Sequence, residues 1–173
     1  MIITVGGSAA SGKTTLARNL AARLGFKHIS AGGLMREMAA ERGKTLLDFS
    51  RYAESHPGVD REIDRRQKRL AKGDCVVDGR LSAHFLKAGL SIWLTAPLDV
   101  RARRIWRRDG FRTLGDAALH IKRREESERR RYKRIYRIDH PDLGIYDLIL
   151  DTGRFGIDET CAIAATAVKC LDK

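Results

Sequence analysis

A glycine-rich segment near the beginning of the chain carries the residue types that hold phosphate groups. It fits the pattern G-x-x-x-x-G-K-[ST] and consists of Gly7, Ser8, Ala9, Ala10, Ser11, Gly12, Lys13 and Thr14. Gly7 and Gly12 permit backbone angles that side chains disfavour, so successive N–H groups can converge on phosphate oxygens. Lys13 would then reach the β and γ phosphates of ATP, and the Thr14 hydroxyl would ligate Mg²⁺. We predict a nucleotide site formed by these residues and Thr15.

Charged residues at the end of an apolar run indicate a second group of ligands. Asp78, Gly79 and Arg80 follow the run 75–77, which has the composition of a buried strand. Ligands of open α/β sheets bind at the carboxyl ends of the strands. We therefore interpret Asp78 as a carboxylate that supports Mg²⁺ through water and Arg80 as a contact for an acceptor phosphate. The alternative is a turn followed by a solvated arginine.

Arginines form two dense segments in the second half of the chain. The net charge is +12, and the arginines thicken at 101–108 and 123–134. Such a surplus indicates an anionic partner, either nucleic acid or nucleotide phosphates. Phosphoryl transfer requires positioned positive charge more than covalent chemistry, and arginines can supply that charge. Those that flank a break at 110–112 would suit a mobile lid.

An RNA-associated P-loop ATPase is the alternative from a different class of protein. Aromatic residues make up only 6% of the chain, and the basic segment 101–134 has no pattern of aromatic residues for base stacking. The composition therefore favours nucleotides over nucleic acid as partners.

The spacing of apolar residues predicts the scaffold for these side chains. Short apolar runs alternate with longer amphipathic stretches, which is the pattern of a parallel sheet covered by helices. Strands are predicted at 2–5, 27–29, 75–78, 91–94 and 147–150. Helices are predicted at 13–24, 34–42, 45–56, 60–72, 97–108, 113–135 and 158–171. We expect a three-layer α/β fold with a five-stranded parallel sheet ordered 2-3-1-4-5.

Length and composition predict one soluble domain. The 173 residues, of which 43% are apolar, suffice for one sizeable core. No apolar run approaches the roughly 18 residues of a membrane span, and the first strand lacks the features of a signal peptide. The three cysteines lack the spacing of a disulfide framework or a zinc site. We expect a cytoplasmic monomer in which 1–173 form a single domain.

Several of these segments resemble those of a known family. Ile29 and Ser30, followed by glycines and by Arg36, resemble the acceptor-binding segment of nucleoside monophosphate kinases. The segment 78–80 resembles another element of that family. With the later arginines and the closing strand, nearly the whole chain resembles the short, archaeal-type cytidylate kinases.

This resemblance implies that the chain transfers the γ-phosphoryl group of ATP to CMP, and also to dCMP. The acceptor-binding region would span about 30–72 and the lid about 107–122. Ser30, Arg36 and Arg80 would bind the acceptor. The arginines of the lid would stabilise the transferring group, with Arg104 and Arg108 at its front and Arg124 and Arg131 at its back.

Helical spacing adds a detail to the back of the lid. Arg124, Glu128 and Arg131 would share one helix face, so Glu128 would hold both arginines. We expect Arg131 to face water until the lid closes.

The identity of the acceptor stays open at this point. Asp60, Arg61, Asp64 and Arg65 could read the base, or they could belong to a solvated helix. AMP, UMP, dephospho-coenzyme A and shikimate are the alternative acceptors.

Overall fold

The computed structural model describes residues 1–171 and contains one parallel sheet. The predicted domain extends two residues beyond this range. The strands are β1 (Ile2–Gly7), β2 (Lys27–Ser30), β3 (Cys75–Asp78), β4 (Leu90–Thr95) and β5 (Leu148–Asp151). Their order is β2-β3-β1-β4-β5, which confirms the predicted order.

Eight α-helices connect and follow these strands in the described residues. They are α1 (Lys13–Leu24), α2 (Ala31–Glu41), α3 (Leu46–Ser55), α4 (Gly58–Leu70), α5 (Ser82–Phe85), α6 (Leu98–Asp109), α7 (Leu114–Tyr136) and α8 (Ile157–Leu171), with a 3₁₀ turn at Leu143–Ile145. The one-turn helix α5 was not predicted. None of the helices within 1–171 combines the length and apolarity needed to cross a bilayer.

The main core lies between the sheet and the pair α1 and α8. Ile3, Val5, Ile92 and Leu94 of the central strands are fully buried there, against apolar residues such as Leu20. Strands buried on both faces read as continuous apolar runs, which is why the sequence predicted them well. This core fixes the carboxyl ends of β1 and β3, where the predicted ligands begin.

The helices α2, α3 and α4 form the predicted acceptor-binding region and have a core of their own. Met38, Phe49 and Ala53 are completely buried in it. Helix α2 begins three residues earlier than predicted because Ser30 Oγ accepts a hydrogen bond from the Gly33 N–H at 3.2 Å and caps the helix.

Helices α6 and α7 form a hairpin over the predicted lid segment. Gly110, with a φ of 70°, ends α6, and a capping box between Thr113 and Asp116 begins α7. Ile105 and Ile121 pack against each other and against Ala9 of the glycine-rich segment. The hairpin is therefore seated directly on the glycine-rich segment.

Candidate active site

The glycine-rich segment forms a loop between β1 and α1. A Cβ on Gly7 would lie 2.4 Å from the carbonyl oxygen of Leu94, so no larger residue fits there. Gly12 has a φ of 94°, in the left-handed region, and stands at the N-terminus of α1. The first backbone N–H groups of α1 and the helix dipole are thus available to an anion at this loop.

Lys13 lies across this loop. Its Nζ donates hydrogen bonds to the carbonyl oxygens of Gly7 at 3.0 Å and of Ser8 at 2.7 Å. Burial lowers the pKa of Lys13 well below its usual range, and the charges of Arg80 and Arg124 lower it further. The negative charge of a bound anion would offset the repulsion between Lys13 and the two arginines. Phosphate groups would therefore stabilise the charged form of the lysine.

Asp78 at the end of β3 faces the start of α1. Its Oδ2 accepts a hydrogen bond from Thr14 Oγ1 at 2.7 Å, and its Oδ1 lies 2.8 Å from His28 Nε2. Burial alone would raise the pKa of Asp78, but hydrogen bonds from His28, Thr14 and Ser30 outweigh burial and lower it. A hydroxyl and an ionised carboxylate therefore meet at the loop.

Arg80 and Arg124 are joined through one buried carboxylate. Arg80 Nε lies 2.5 Å from Glu128 Oε2, and Arg124 Nε donates to Glu128 Oε1 at 3.0 Å. Arg80 Nη1 also donates to the Gly7 carbonyl at 3.3 Å. Burial disfavours the Glu128 charge, but the two arginines outweigh burial and lower its pKa. This cluster links β3, the loop and α7.

Arg131 does not pair with Glu128, and that prediction was wrong. Its guanidinium pairs with Asp60 of α4 instead, with Nε 3.1 Å from Oδ2 and Nη2 3.2 Å from Oδ1. The side chain is only 12% exposed, so in this structure it does not face water. Helical spacing could not predict this ion pair, because the carboxylate that binds Arg131 comes from another helix.

One further contact joins the same helices. Tyr136 of α7 donates a hydrogen bond to Asp64 of α4, and burial raises the pKa of Asp64 to about 6. Asp60 and Asp64 therefore face α7, whereas Arg61 and Arg65 are exposed on α4. The four predicted base readers are divided between two faces.

The remaining predicted arginines differ in their surroundings. Arg104 Nη1 and Nη2 donate to Oγ1 and O of Thr152 at 2.9 and 2.6 Å, and Nη1 lies 3.3 Å from the Ala10 carbonyl. Arg108 is 65% exposed and pairs with the adjacent Asp109. Arg104 is thus fixed against the outside of the loop, while Arg108 lies at the surface.

Ser30 and Arg36 flank one glycine at the start of α2. A Cβ on Gly32 would lie 3.7 Å from Ser30 Oγ and 3.8 Å from Arg36 Nη1. Arg36 is exposed, and its guanidinium and the Ser30 hydroxyl each lie near Gly32. Both predicted acceptor ligands are therefore found near the beginning of α2.

Four residues around the loop were not predicted. His28 contacts Asp78, Arg101 and Glu125 contact the backbone of Ala9, and Thr152 Oγ1 donates to the Ser11 carbonyl at 2.8 Å. His28 could have been recognised from the sequence, because it lies two residues before Ser30 on a strand and their side chains therefore point to the same face of the sheet. The other three are brought to the loop by tertiary packing.

Comparison with known proteins gives consistent results. A family model described as the cytidylate kinase-like family matches residues 2–154. The cytidylate kinase of Pyrococcus furiosus is 50% identical over 175 residues, covering 99% of this chain and 90% of the relative. That of Methanocaldococcus jannaschii is 46% identical and covers both chains completely.

Solved structures share the fold at lower identity. An uncharacterised protein from Eubacterium ventriosum has a TM-score of 0.67 at 19% identity, covering 100% of this chain and 99% of that one. Shikimate kinase from Acinetobacter baumannii has a TM-score of 0.63 at 15% identity, covering 98% and 93%.

Proposed function

This chain belongs to the cytidylate kinase-like family, and from that premise we propose that it transfers the γ-phosphoryl group of ATP to CMP, forming ADP and CDP, with dCMP as a second acceptor. Transfer to CMP is supported by full-length relatives that are about half identical and are named cytidylate kinase. The observation in the structure that carries the proposal is the convergence of Lys13, Arg80 and Arg124 on the glycine-rich loop.

The loop would bind the phosphates of ATP. The N-terminus of α1 supplies N–H donors, and Lys13 would exchange its contacts with two loop carbonyls for contacts with the β and γ phosphates. The lysine is already held at the loop, so little reorganisation is needed when the nucleotide binds. Preorganised positive charge of this kind is the largest contribution to catalysis in phosphoryl transfer.

The residues present fit a Mg²⁺ ion. Thr14 offers a hydroxyl oxygen and Asp78 a carboxylate whose pKa is lowered, and hard oxygen ligands suit this metal. When bound, Mg²⁺ would neutralise charge on the β and γ phosphates. His28 would hold the Asp78 carboxylate in place through its hydrogen bond.

The acceptor would bind between α2 and β3. Arg36, exposed beside Ser30, is suited to the CMP phosphate, and Arg80 would face the same group from the loop side. Glu128 would then act as a positioning residue that aligns Arg80 and Arg124, and we assign it no contact with the substrate.

Roles for the other arginines follow from their contacts. Arg124 is 53% exposed with its guanidinium tied to Glu128, so it is suited to contact the transferring group. Arg131 would join it after exchanging the Asp60 carboxylate for phosphate oxygens. Arg104 would position the loop through Ala10 and Thr152, and Arg108 would join the site only if the lid moves.

A screen of acceptors tests this function. ADP formation would be measured with ATP, Mg²⁺ and each of CMP, dCMP, UMP, AMP, dephospho-coenzyme A and shikimate, with Lys13→Ala as the inactive control. CMP and dCMP should give the highest kcat/KM, and a better acceptor among the others would contradict the proposal. RNA should leave the rate unchanged.

We also propose that the enzyme is monomeric and works in the cytoplasm, as expected from the sequence. Sedimentation of the enzyme with and without nucleotides would test the first point, and fractionation of source cells the second.

A further inference from the structure

Glu125 of α7 contacts the backbone of the glycine-rich loop at Ala9. Its Oε1 accepts hydrogen bonds from the Ala9 N–H at 2.8 Å and from Arg101 Nη1 at 2.8 Å. Arg101 Nη1 also lies 3.2 Å from the Ala9 carbonyl, and its Nε donates to the Ala96 carbonyl at 2.9 Å. Both polar backbone groups of Ala9 are thus held by one ion pair.

The rest of the outer side of the loop is held in the same manner. Arg104 approaches the Ala10 carbonyl, and Thr152 donates to that of Ser11. Ala10 has a φ of 61°, a left-handed conformation that is unfavourable for a residue with a side chain. Such a conformation persists only where surrounding contacts fix it, and the ion pair at Ala9 is adjacent to it.

The ion pair also balances charge close to the phosphates. A lone carboxylate beside the loop would repel ATP, but Glu125 is paired with Arg101, whose side chain is only 11% exposed. The arginine therefore neutralises the charge of the carboxylate beside the loop, and the two side chains act as a unit.

The position of Glu125 on α7 gives the contact a further consequence. It is adjacent to Arg124, and Glu128, which holds Arg124 and Arg80, lies one turn further along the helix. A helix anchored to the loop at Glu125 keeps these charges at a fixed distance from the phosphates that the loop would bind.

We infer that Glu125 and Arg101 are a positioning pair that fixes the phosphate-binding loop to the lid helix and so sets the geometry of phosphoryl transfer. The effect of the pair on catalysis rests on the proposed function, whereas the effect of the pair on ATP binding does not depend on the acceptor. Small displacements of reacting groups can cost about 100-fold in rate, so loss of the pair should be measurable.

The test compares variants at two adjacent positions. Glu125→Ala should lower kcat/KM for ATP at least about 10-fold while leaving the KM for CMP within about twofold. Glu125→Gln retains an oxygen for the Ala9 N–H and should recover most of the loss. Glu126→Gln is the matched control, because Glu126 pairs with Arg130 in a highly exposed contact. It should match the wild type.

A double-mutant cycle separates positioning from general destabilisation. Arg101→Gln leaves the Glu125 carboxylate uncompensated near the phosphates and should weaken ATP binding more than Glu125→Gln does. The double variant R101Q/E125Q removes that charge and should bind ATP at least about threefold more tightly than R101Q. A general loss of structure would worsen with the second substitution, so a double variant no better than R101Q would overturn the inference.

Two measurements keep the outcomes distinct. ATP affinity would be measured by calorimetry without acceptor, and thermal unfolding would confirm that each variant is folded. Equal ATP affinity and equal kcat/KM in Glu125→Ala and Glu126→Gln would refute the positioning pair and leave the proposed function intact. A wild-type enzyme that binds ATP and fails to phosphorylate CMP would refute the proposed function, while the affinities would still decide the role of the pair.

Discussion

Replacing Glu128 by glutamine should reveal how strongly the active-site charges repel one another. Glu128 lies between Arg80 and Arg124, and the side chains of Arg80 and Glu128 are each only 9% exposed. Glutamine has nearly the same shape but no charge. The substitution therefore leaves Arg80 buried without a counter-ion, beside Lys13, whose pKa both arginines already lower.

The expected magnitude follows from that burial. Removing one partner of a buried ion pair costs about 3–5 kcal/mol, because the remaining charge stays desolvated. We take the lower end, about 3 kcal/mol, since Arg124 is half exposed and loses less. For a chain of this length each kcal/mol lowers Tm by about 2–4 °C, so Tm should fall by roughly 6–12 °C.

Thermal and urea unfolding of the free enzyme would measure this loss. The control is Glu126→Gln, whose free energy of unfolding should fall by less than about 0.5 kcal/mol. Phosphate groups can replace the missing carboxylate as partners of Arg80 and Arg124. Saturating CMP with a non-hydrolysable ATP analogue should therefore stabilise Glu128→Gln more than the wild type. A free variant within 1 kcal/mol of the wild type would refute the reasoning.

Three further predictions concern catalysis and pH. Lys13→Ala should lower kcat at least about 100-fold with an unchanged circular dichroism spectrum, and a variant above a tenth of the wild-type rate would exclude this lysine from catalysis. Arg131→Ala should lower kcat at least about 100-fold with KM values within a few-fold, whereas Arg36→Ala should mainly raise the KM for CMP. Steady-state kinetics would distinguish the two, and a normal kcat for Arg131→Ala would assign Arg131 to structure alone. Because burial raises the pKa of Asp64 to about 6, the folded protein holds this proton more tightly than the unfolded chain does. The contribution to stability is fully present below the unfolded pKa of about 4 and is lost as the pH rises through 6, so Asp64→Asn should gain roughly 2 kcal/mol relative to the wild type between pH 4 and 7. Urea unfolding across this range would measure the difference, and a constant difference would contradict it.

The sequence predicted the scaffold and the loop because their signals are local. The buried strands are continuous apolar runs, and Thr113 with Asp116 marks the beginning of α7 within four residues. The loop pattern specifies backbone geometry through its glycines. Each of these features could be recognised without knowing which segments meet in space.

The partners of the charged side chains could not be predicted in this way. Helical spacing identifies neighbours on one helix, so it paired Glu128 with Arg124 correctly and with Arg131 wrongly. Asp60 is 71 residues from Arg131 in the chain, and Glu125 is 116 residues from Ala9. Only the packing of α7 against α4 and the loop brings these groups together.

The contacts between α4 and α7 limit how the enzyme can open. The acceptor helices α2 to α4 and the lid helix α7 would each form a cover over the site. Two independent covers would have four arrangements, with each cover open or closed. Here the acceptor helices cannot swing away from α7 without separating Arg131 from Asp60 and Tyr136 from Asp64. We therefore expect the two covers to move together, so that one opening motion would admit both nucleotides.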